Sequence, residues 1–509
     1  MRKQTKIVAL AAVLALGASF TSMAATYDWK MEDDGWYCYD EDGEAYDEEW
    51  VESYGYDYWV DDEGKMVTSS WVEDGDDLYY VNSEGKKTIS DWKFTYAMDE
   101  EDDDDAEEAW FYFDSKGKLA TDKRIAWKDS YYFVDKDGKM VTGWIEYDKA
   151  ATEVVKTATA NPNVDNLIYV NEDGTRAANM WYHGFEAGLD EEATADLDED
   201  SYVYYWINKD GSVATGKKSD INGETYFFGE DGIMLYGWVV TVNGSGVYAN
   251  VPKTATLSQY ASGYSVYFCG NDDQGWAKKG DWYKLANNQT FEDADEDTTT
   301  YWFSIGSNGK VFIPNVTASG SNASVGLVKA DAVTFNGSTG FSIGTPANAN
   351  NAELKVIKGE TYMFDANGQM LKGLYYVDNE LNYFGTSDEG QRKTGTCKVE
   401  DTFEDAYEVT FAKKDSAIAG EYSKYEALNG NVDGYLYING RLQKSSEKGI
   451  YKYVTVGNDK FLVNYKGKVQ TDLTDKYELE TGEEVTPGAT LKLGAAGKNS
   501  IHYGALVTK

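Results

Sequence analysis

The sequence predicts an all-β protein, an elongated solenoid of stacked short β-hairpins with one divergent β-rich insertion. Two observations carry this reading: a hairpin-like motif that recurs at a fixed spacing, and an aromatic-rich, proline-poor composition. The clearest copy of the motif is Tyr131–Trp144, YYFVDKDGKMVTGW. Tyr131 to Val134 have the β-branched and aromatic character of a strand, and alternation puts Tyr131 and Phe133 on one face, Tyr132 and Val134 on the other. Asp135 to Gly138 read as a tight turn, with glycine supplying positive φ and Asp oxygens satisfying turn amides. Lys139 to Thr142 are expected to form the second arm, closing on Gly143-Trp144. Arms this short do not stand alone in water, so the hairpin must stack on copies of itself.

The copies surround Gly43, Gly64, Gly85, Gly117, Gly174, Gly211 and Gly232. The steps Gly43–Gly64, Gly64–Gly85, Gly117–Gly138 and Gly211–Gly232 are each 21 residues, and longer steps read as loop insertions. A Trp follows the turn glycine at Trp50, Trp71, Trp92, Trp144, Trp181 and Trp238. One hairpin per period near twenty residues is the signature of a solenoid. The 41 Tyr and 15 Trp against 5 Pro exclude a disordered chain and suit many half-buried strands.

The formal charge of −41 argues against nucleic-acid and anionic-membrane partners and favours cationic ligands. Residues 1–24 read as a signal peptide: Arg2, Lys3 and Lys6, then an apolar Ile7–Gly17, then Ser22-Met23-Ala24 before cleavage at Ala25. The expectation is therefore a secreted protein of the Gram-positive wall or surface, with no membrane insertion after cleavage. Residues 25–240 form the regular array, with acidic loops at 99–108 and 190–200. Residues 241–351 are a divergent Asn/Ser/Thr/Gly-rich β region, 352–396 carry further repeats, and 397–509 are a degenerate, repeat-like C-terminal region. Cys38, Cys269 and Cys397 are too few and too scattered for a disulfide framework.

The motifs YYFVDKDGKMVTGW and YFFGEDGIMLYGW resemble the cell-wall-binding, or choline-binding, repeats of Gram-positive surface proteins, and similar repeats occur in glucan-binding proteins and clostridial toxins. The likeness covers roughly residues 35–238 and 360–396. It implies ligand cages between neighbouring hairpins, combining the Trp after the turn, the leading aromatic of the next strand and a ring from the following hairpin. Carried onto this chain, the cages draw on Trp50, Tyr58 and Trp71, on Trp71, Tyr79 and Trp92, and on Trp127, Tyr132 and Trp144. Gly211 lacks its Trp, while Leu374 and Thr396 stand where Trp is expected, so no cages are expected beyond Trp238. The implied partners are wall polymers, either choline-bearing teichoic acid or glycan. Ring faces and nearby carboxylates suit a quaternary ammonium, which has no hydrogen-bond donor, at about 0.5–2 kcal/mol per face.

No catalytic residue, metal site or cofactor is expected. His183 and His502 are the whole histidine supply, too little for zinc or triad chemistry of recognisable pattern. Turns such as DKDG lack the spacing and closing Glu of a calcium loop. Two alternatives stand beside a non-catalytic wall-binding protein. One is a structural or adhesive protein whose aromatics only pack against one another. The other is a glycan hydrolase with its site in 241–351.

Overall fold

A computed structural model describes residues 27–98, 107–148, 153–291, 294–295, 297–315, 328–329, 334–336, 340–342, 352–378, 380–385, 388–399 and 407–509. The expected leader, most of the first acidic loop and much of 316–351 lie outside the described residues. Among the described residues the chain is nearly all β: one helix of four residues, Glu191–Thr194, and three 3-10 turns stand among some forty short strands. No helix among the described residues is long and apolar enough to cross a membrane. The helix lies in the acidic loop at 190–200, where the Asp190 carboxylate accepts from the Ala193 amide. The chain forms two compact units, one of residues 1–202 and 206–213, the other of 203–205 and 214–509.

The repeat is a hairpin, but its phase differs from the one the motif suggests. Ser130–Val134 pairs with the strand before it, Lys123–Trp127, through five cross-strand pairs. The DKDG segment is a separate turn: the Asp135 carboxylate accepts from the amides of Asp137 and Lys139, and Gly138 N–H donates to the Asp135 carbonyl. After it, only one bridge forms back to the hairpin, Val134 to Met140. The reason is that this segment serves two hairpins. Val141 N–H donates to Phe133 of its own hairpin, while Met140 N–H donates to the Trp110 carbonyl of the preceding one, at 2.8 Å.

That division of backbone bonds stitches the array together. The same inter-hairpin bond runs from Met66 to Trp36, Lys87 to Asp57, Leu119 to Leu78 and Arg176 to Tyr131 in the first unit. In the second unit it runs from Val311 to Val266, Met370 to Trp302, Arg392 to Thr361 and Val469 to Gly434. The residue that follows the turn glycine by two positions thus lies over the previous hairpin. Gly85 shows why the turn residue is glycine: its φ is +76°, and a Cβ there would stand 2.6 Å from the Met66 sulfur.

Residues 238–313 continue the same plan. Trp238–Val242 pairs with Tyr264–Phe268, with Tyr248–Asn250 added on its other edge, and Trp282–Ala286 pairs with Thr300–Ser304. The second unit ends in a six-stranded sheet built on the Ile450–Val456 and Asp459–Val463 hairpin. Ile450 and Tyr451 pair there in parallel with Glu478 and Leu479, and Leu462, Tyr477, Leu479 and Leu506 form its core.

Candidate functional site

The strand register creates a repeated three-residue slot between hairpins. Its first member is the first or second residue of a hairpin's leading strand, and its second is the cross-strand partner of the first. Its third is the residue before that partner's equivalent in the next hairpin. Trp50 faces Trp59 across the hairpin and Tyr79 from the next, with both ring centroids 5.2 Å away. Trp71 meets Tyr80 and Phe111 at 5.7 and 5.0 Å, and Trp92 meets Tyr112 and Tyr132 at 5.1 and 5.4 Å. In the second unit Trp238 meets Phe268 and Phe303 at 5.2 and 4.8 Å, and Trp282 meets Tyr362 at 4.7 Å. These are edge-on and tilted contacts of the kind that aromatic quadrupoles favour.

The rings named from the sequence therefore fall into clusters as follows. Trp50, Tyr58 and Trp71 occupy three consecutive slots, since Tyr58 lies against Trp29 at 5.7 Å. Tyr79 joins Trp50 rather than Trp71. Trp92, Trp127 and Tyr132 come together with Tyr112 in one half-buried four-ring cluster, the Trp127–Tyr132 centroids being 5.8 Å apart. Trp144 sits apart from them, against Tyr169 at 5.0 Å and Tyr182 at 4.8 Å. Trp127 is at the far end of its strand; the slot position belongs to Arg124, whose guanidinium lies 4.4 Å from the Tyr131 ring centre. Sequence reasoning passed over Trp59, Tyr112 and Arg124 because it paired each aromatic strand with the segment after it instead of the strand before.

The slots differ in what fills them. Trp71 and Trp238 are buried, and their indole N–H groups donate to the backbone carbonyls of Tyr96 and Ala286. The Trp50 slot instead holds a charge. The Lys87 ammonium lies 3.6 Å from the Trp50 ring centre and 5.1 Å from that of Tyr79, and pairs with Asp57 at 3.0 Å. The Trp50 indole donates to Asp74 at 3.2 Å. Two ring faces, an ammonium and carboxylates thus converge at one point. Burial holds the phenols of Tyr58, Tyr79 and Tyr132 above the usual tyrosine range, so they stay neutral and act as ring faces and hydroxyls.

Among the described residues no group of three or more His, Cys, Asp or Glu is placed to hold a metal ion. His183 is exposed and stands edge-on to Tyr202. The His502 ring pairs with Asp459, while the Ser500 hydroxyl meets the His502 backbone N–H and not its ring. Cys38 and Cys269 are buried thiols, and Cys38 is pushed up to about 12 by its surroundings.

The chain is similar to choline-binding repeat proteins. The modular autolysin LytC of Streptococcus pneumoniae is 14% identical, with 72% of this chain and 52% of that one covered and a TM-score of 0.31. Choline-binding protein F of the same organism, solved with a peptidoglycan analogue, is 16% identical over 75% of this chain and 99% of its own, also at 0.31. The choline-binding domain of CbpL is 20% identical over 52% of this chain and 98% of its own, at 0.29. Among curated proteins, glucosyltransferase-S of Streptococcus mutans is 26% identical over 276 residues, which is 51% of this chain. The matched part spans only 16% of that relative. No family model matches the chain.

Proposed function

We propose that this is an exported, non-catalytic protein that binds polymers of the cell envelope through ring clusters between its hairpins. The observation that carries this reading is the Lys87 ammonium seated over Trp50 beside Tyr79 and Asp57: the inter-hairpin slot has the dimensions and charge to hold an ammonium head. A choline-like group on a wall polymer presents the same chemistry from outside. The four-ring cluster of Trp92, Tyr112, Tyr132 and Trp127 is the best candidate to receive it, with Trp144, Tyr169 and Tyr182 as a second cluster. Repeated weak sites on one chain gain affinity when the polymer repeats its ligand.

A structural reading is favoured at particular positions. The fully satisfied indoles of Trp71 and Trp238 serve packing. The experiment is sedimentation of the full chain with purified walls, alongside choline titration of tryptophan fluorescence. Trp92→Ala is expected to weaken wall binding and blunt the choline response. Sedimentation unchanged by Trp92→Ala and Trp144→Ala together would overturn the assignment, and release of soluble wall fragments would overturn the non-catalytic part.

A further inference from the structure

The slot series does not end with the tryptophans. In the hairpin Gly395–Val399 with Tyr407–Phe411, the register puts Thr396 in the position of Trp50 and Thr410 in that of Trp59. Tyr435 of the next hairpin takes the position of Tyr79, since Gly430 pairs with Tyr437 as Ser70 pairs with Val81. Two threonines thus replace two indoles at the same place in the repeat. The volume that the rings occupy elsewhere is here an open cavity of about 580 Å³, lined by Thr396, Thr410 and Tyr435 among others. The residue in the place of Lys87 is Leu442, two positions after Gly440, and it stands on the surface at 39% exposure.

The lining is polar and aromatic at once. The Thr396 and Thr410 hydroxyls lie 3.0 Å apart and form a donor–acceptor pair at the wall. Tyr435, 40% exposed, offers a ring face at the rim, and Tyr422 and Tyr437 contribute further rings and hydroxyls. Lys413, Lys414 and Asp433 are the charged residues of the lining, an excess of one positive charge in a chain whose formal charge is −41. The cavity lies in the size range of small-molecule sites. A ring face, paired hydroxyls and two ammonium groups suit a flat, hydroxylated ligand that carries negative charge. They do not suit a quaternary ammonium.

We propose that the slot bounded by Thr396, Thr410 and Tyr435 binds an anionic sugar residue, of which a hexuronate is the simplest example. This site is independent of the ring clusters proposed above for the ammonium ligand. The test is calorimetric titration of the full chain with a glucuronate-containing disaccharide, a neutral glucose disaccharide and choline. The uronate is expected to bind more tightly than the neutral sugar. Thr396→Trp, which returns the missing ring, is expected to weaken uronate binding at least tenfold and leave the choline response unchanged. Lys413→Gln with Lys414→Gln should remove the preference for the charged sugar while keeping the fold.

Absence of uronate binding by the unaltered chain at millimolar concentration would overturn the proposal. Equal binding of the neutral sugar, indifferent to the lysine changes, would overturn the anionic class. If Thr396→Trp fails to fold, Tyr435→Ala tests the same cavity at an exposed position, and unchanged uronate binding there overturns the site. A chain that binds uronate but not walls would refute the reading of the ring clusters alone.

Discussion

The Trp50 and Thr396 slots are the same place in the repeat, reached by the same register, and they hold opposite contents. At Trp50 two indoles, a phenol ring and the chain's own ammonium close the space, with Asp57 and Asp74 completing the polar bonds. At Thr396 two hydroxyls stand where the indoles would be, and the space opens to solvent. The strand register does not distinguish them. Hairpin stacking rests on the stitch of main-chain hydrogen bonds and on the residues facing inward from each strand, Val51 and Val60 in one case, Cys397 and Phe411 in the other. Slot residues are therefore free to vary in a way that inward residues are not. A solenoid of this kind separates the problem of holding together from the problem of what each interval contains.

The largest effect expected from opening a closed slot is at Trp71. Its ring is buried against Phe111, Tyr80 and Phe113, and its N–H satisfies the Tyr96 carbonyl. Trp71→Ala should cost about 3–5 kcal/mol, read as a lower denaturation midpoint of the first unit. A loss below about 1 kcal/mol would mean that slot rings contribute little to holding the hairpins, and the contrast between filled and open slots would lose its energetic meaning.

How much of this was legible in the sequence follows from the same separation. The 21-residue spacing of Gly64 and Gly85 and the alternation in YYFV were sufficient for an all-β hairpin array, because turn glycine and strand alternation are local properties. The phase of the hairpin was not legible. YYFV has strand-like neighbours on both sides, and the choice depends on which backbone groups the preceding hairpin leaves to be satisfied, as the Met140 bond to Trp110 shows. That single ambiguity moved the site: it joined Trp50 to Tyr58 and Trp71, whereas cross-strand register joins it to Trp59 and Tyr79. The Thr396 substitution was visible as a missing Trp. Its consequence, a cavity, needed the position of Tyr435 from a hairpin almost forty residues away.

A closed slot beside the open one offers a smaller test. Leu374 fills its slot with an aliphatic side chain, packed with Tyr376, Tyr383 and Val409. The Tyr376 phenol is 3% exposed, and desolvation pushes it up to about 12. Between pH 10 and 12 the unfolded chain releases this proton while the folded chain keeps it, so the unfolded state binds fewer protons and stability falls as pH rises. The loss from this group approaches about 2–3 kcal/mol near pH 12 and vanishes below pH 10. Denaturation midpoints at pH 9 and 11.5 measure it, and Tyr376→Phe should flatten the dependence. An unchanged slope in that variant would mean that water reaches this slot too.

Gly85→Ala should cost roughly 1–2 kcal/mol, for the left-handed backbone and the contact with Met66. Gly55→Ala is the control: its φ is +79°, but no atom lies within 4 Å of the added Cβ. An equal cost at both positions would assign the whole effect to backbone conformation and none to stacking of the hairpins.

The smallest effect on stability carries the most functional information. Lys87 is nearly enclosed, its side chain 10% exposed, between the Trp50 and Tyr79 rings and Asp57. Removing its head group forfeits a cation–π contact of about 1–2 kcal/mol and one ion pair. It also releases Asp57, whose side chain is 38% exposed and is readily solvated in place. Lys87→Ala is therefore expected to fold, with a net loss on the order of 1 kcal/mol. What remains is an empty pair of ring faces beside a carboxylate, the chemistry that a free ammonium ion seeks. Choline should then quench tryptophan fluorescence more strongly in Lys87→Ala than in the unaltered chain, and added salt should weaken the response. Trp50→Ala introduced into Lys87→Ala should abolish the gain. A Lys87→Ala chain with no gain in choline response would show that the slot closes around its loss, and that the ammonium at Trp50 serves packing alone.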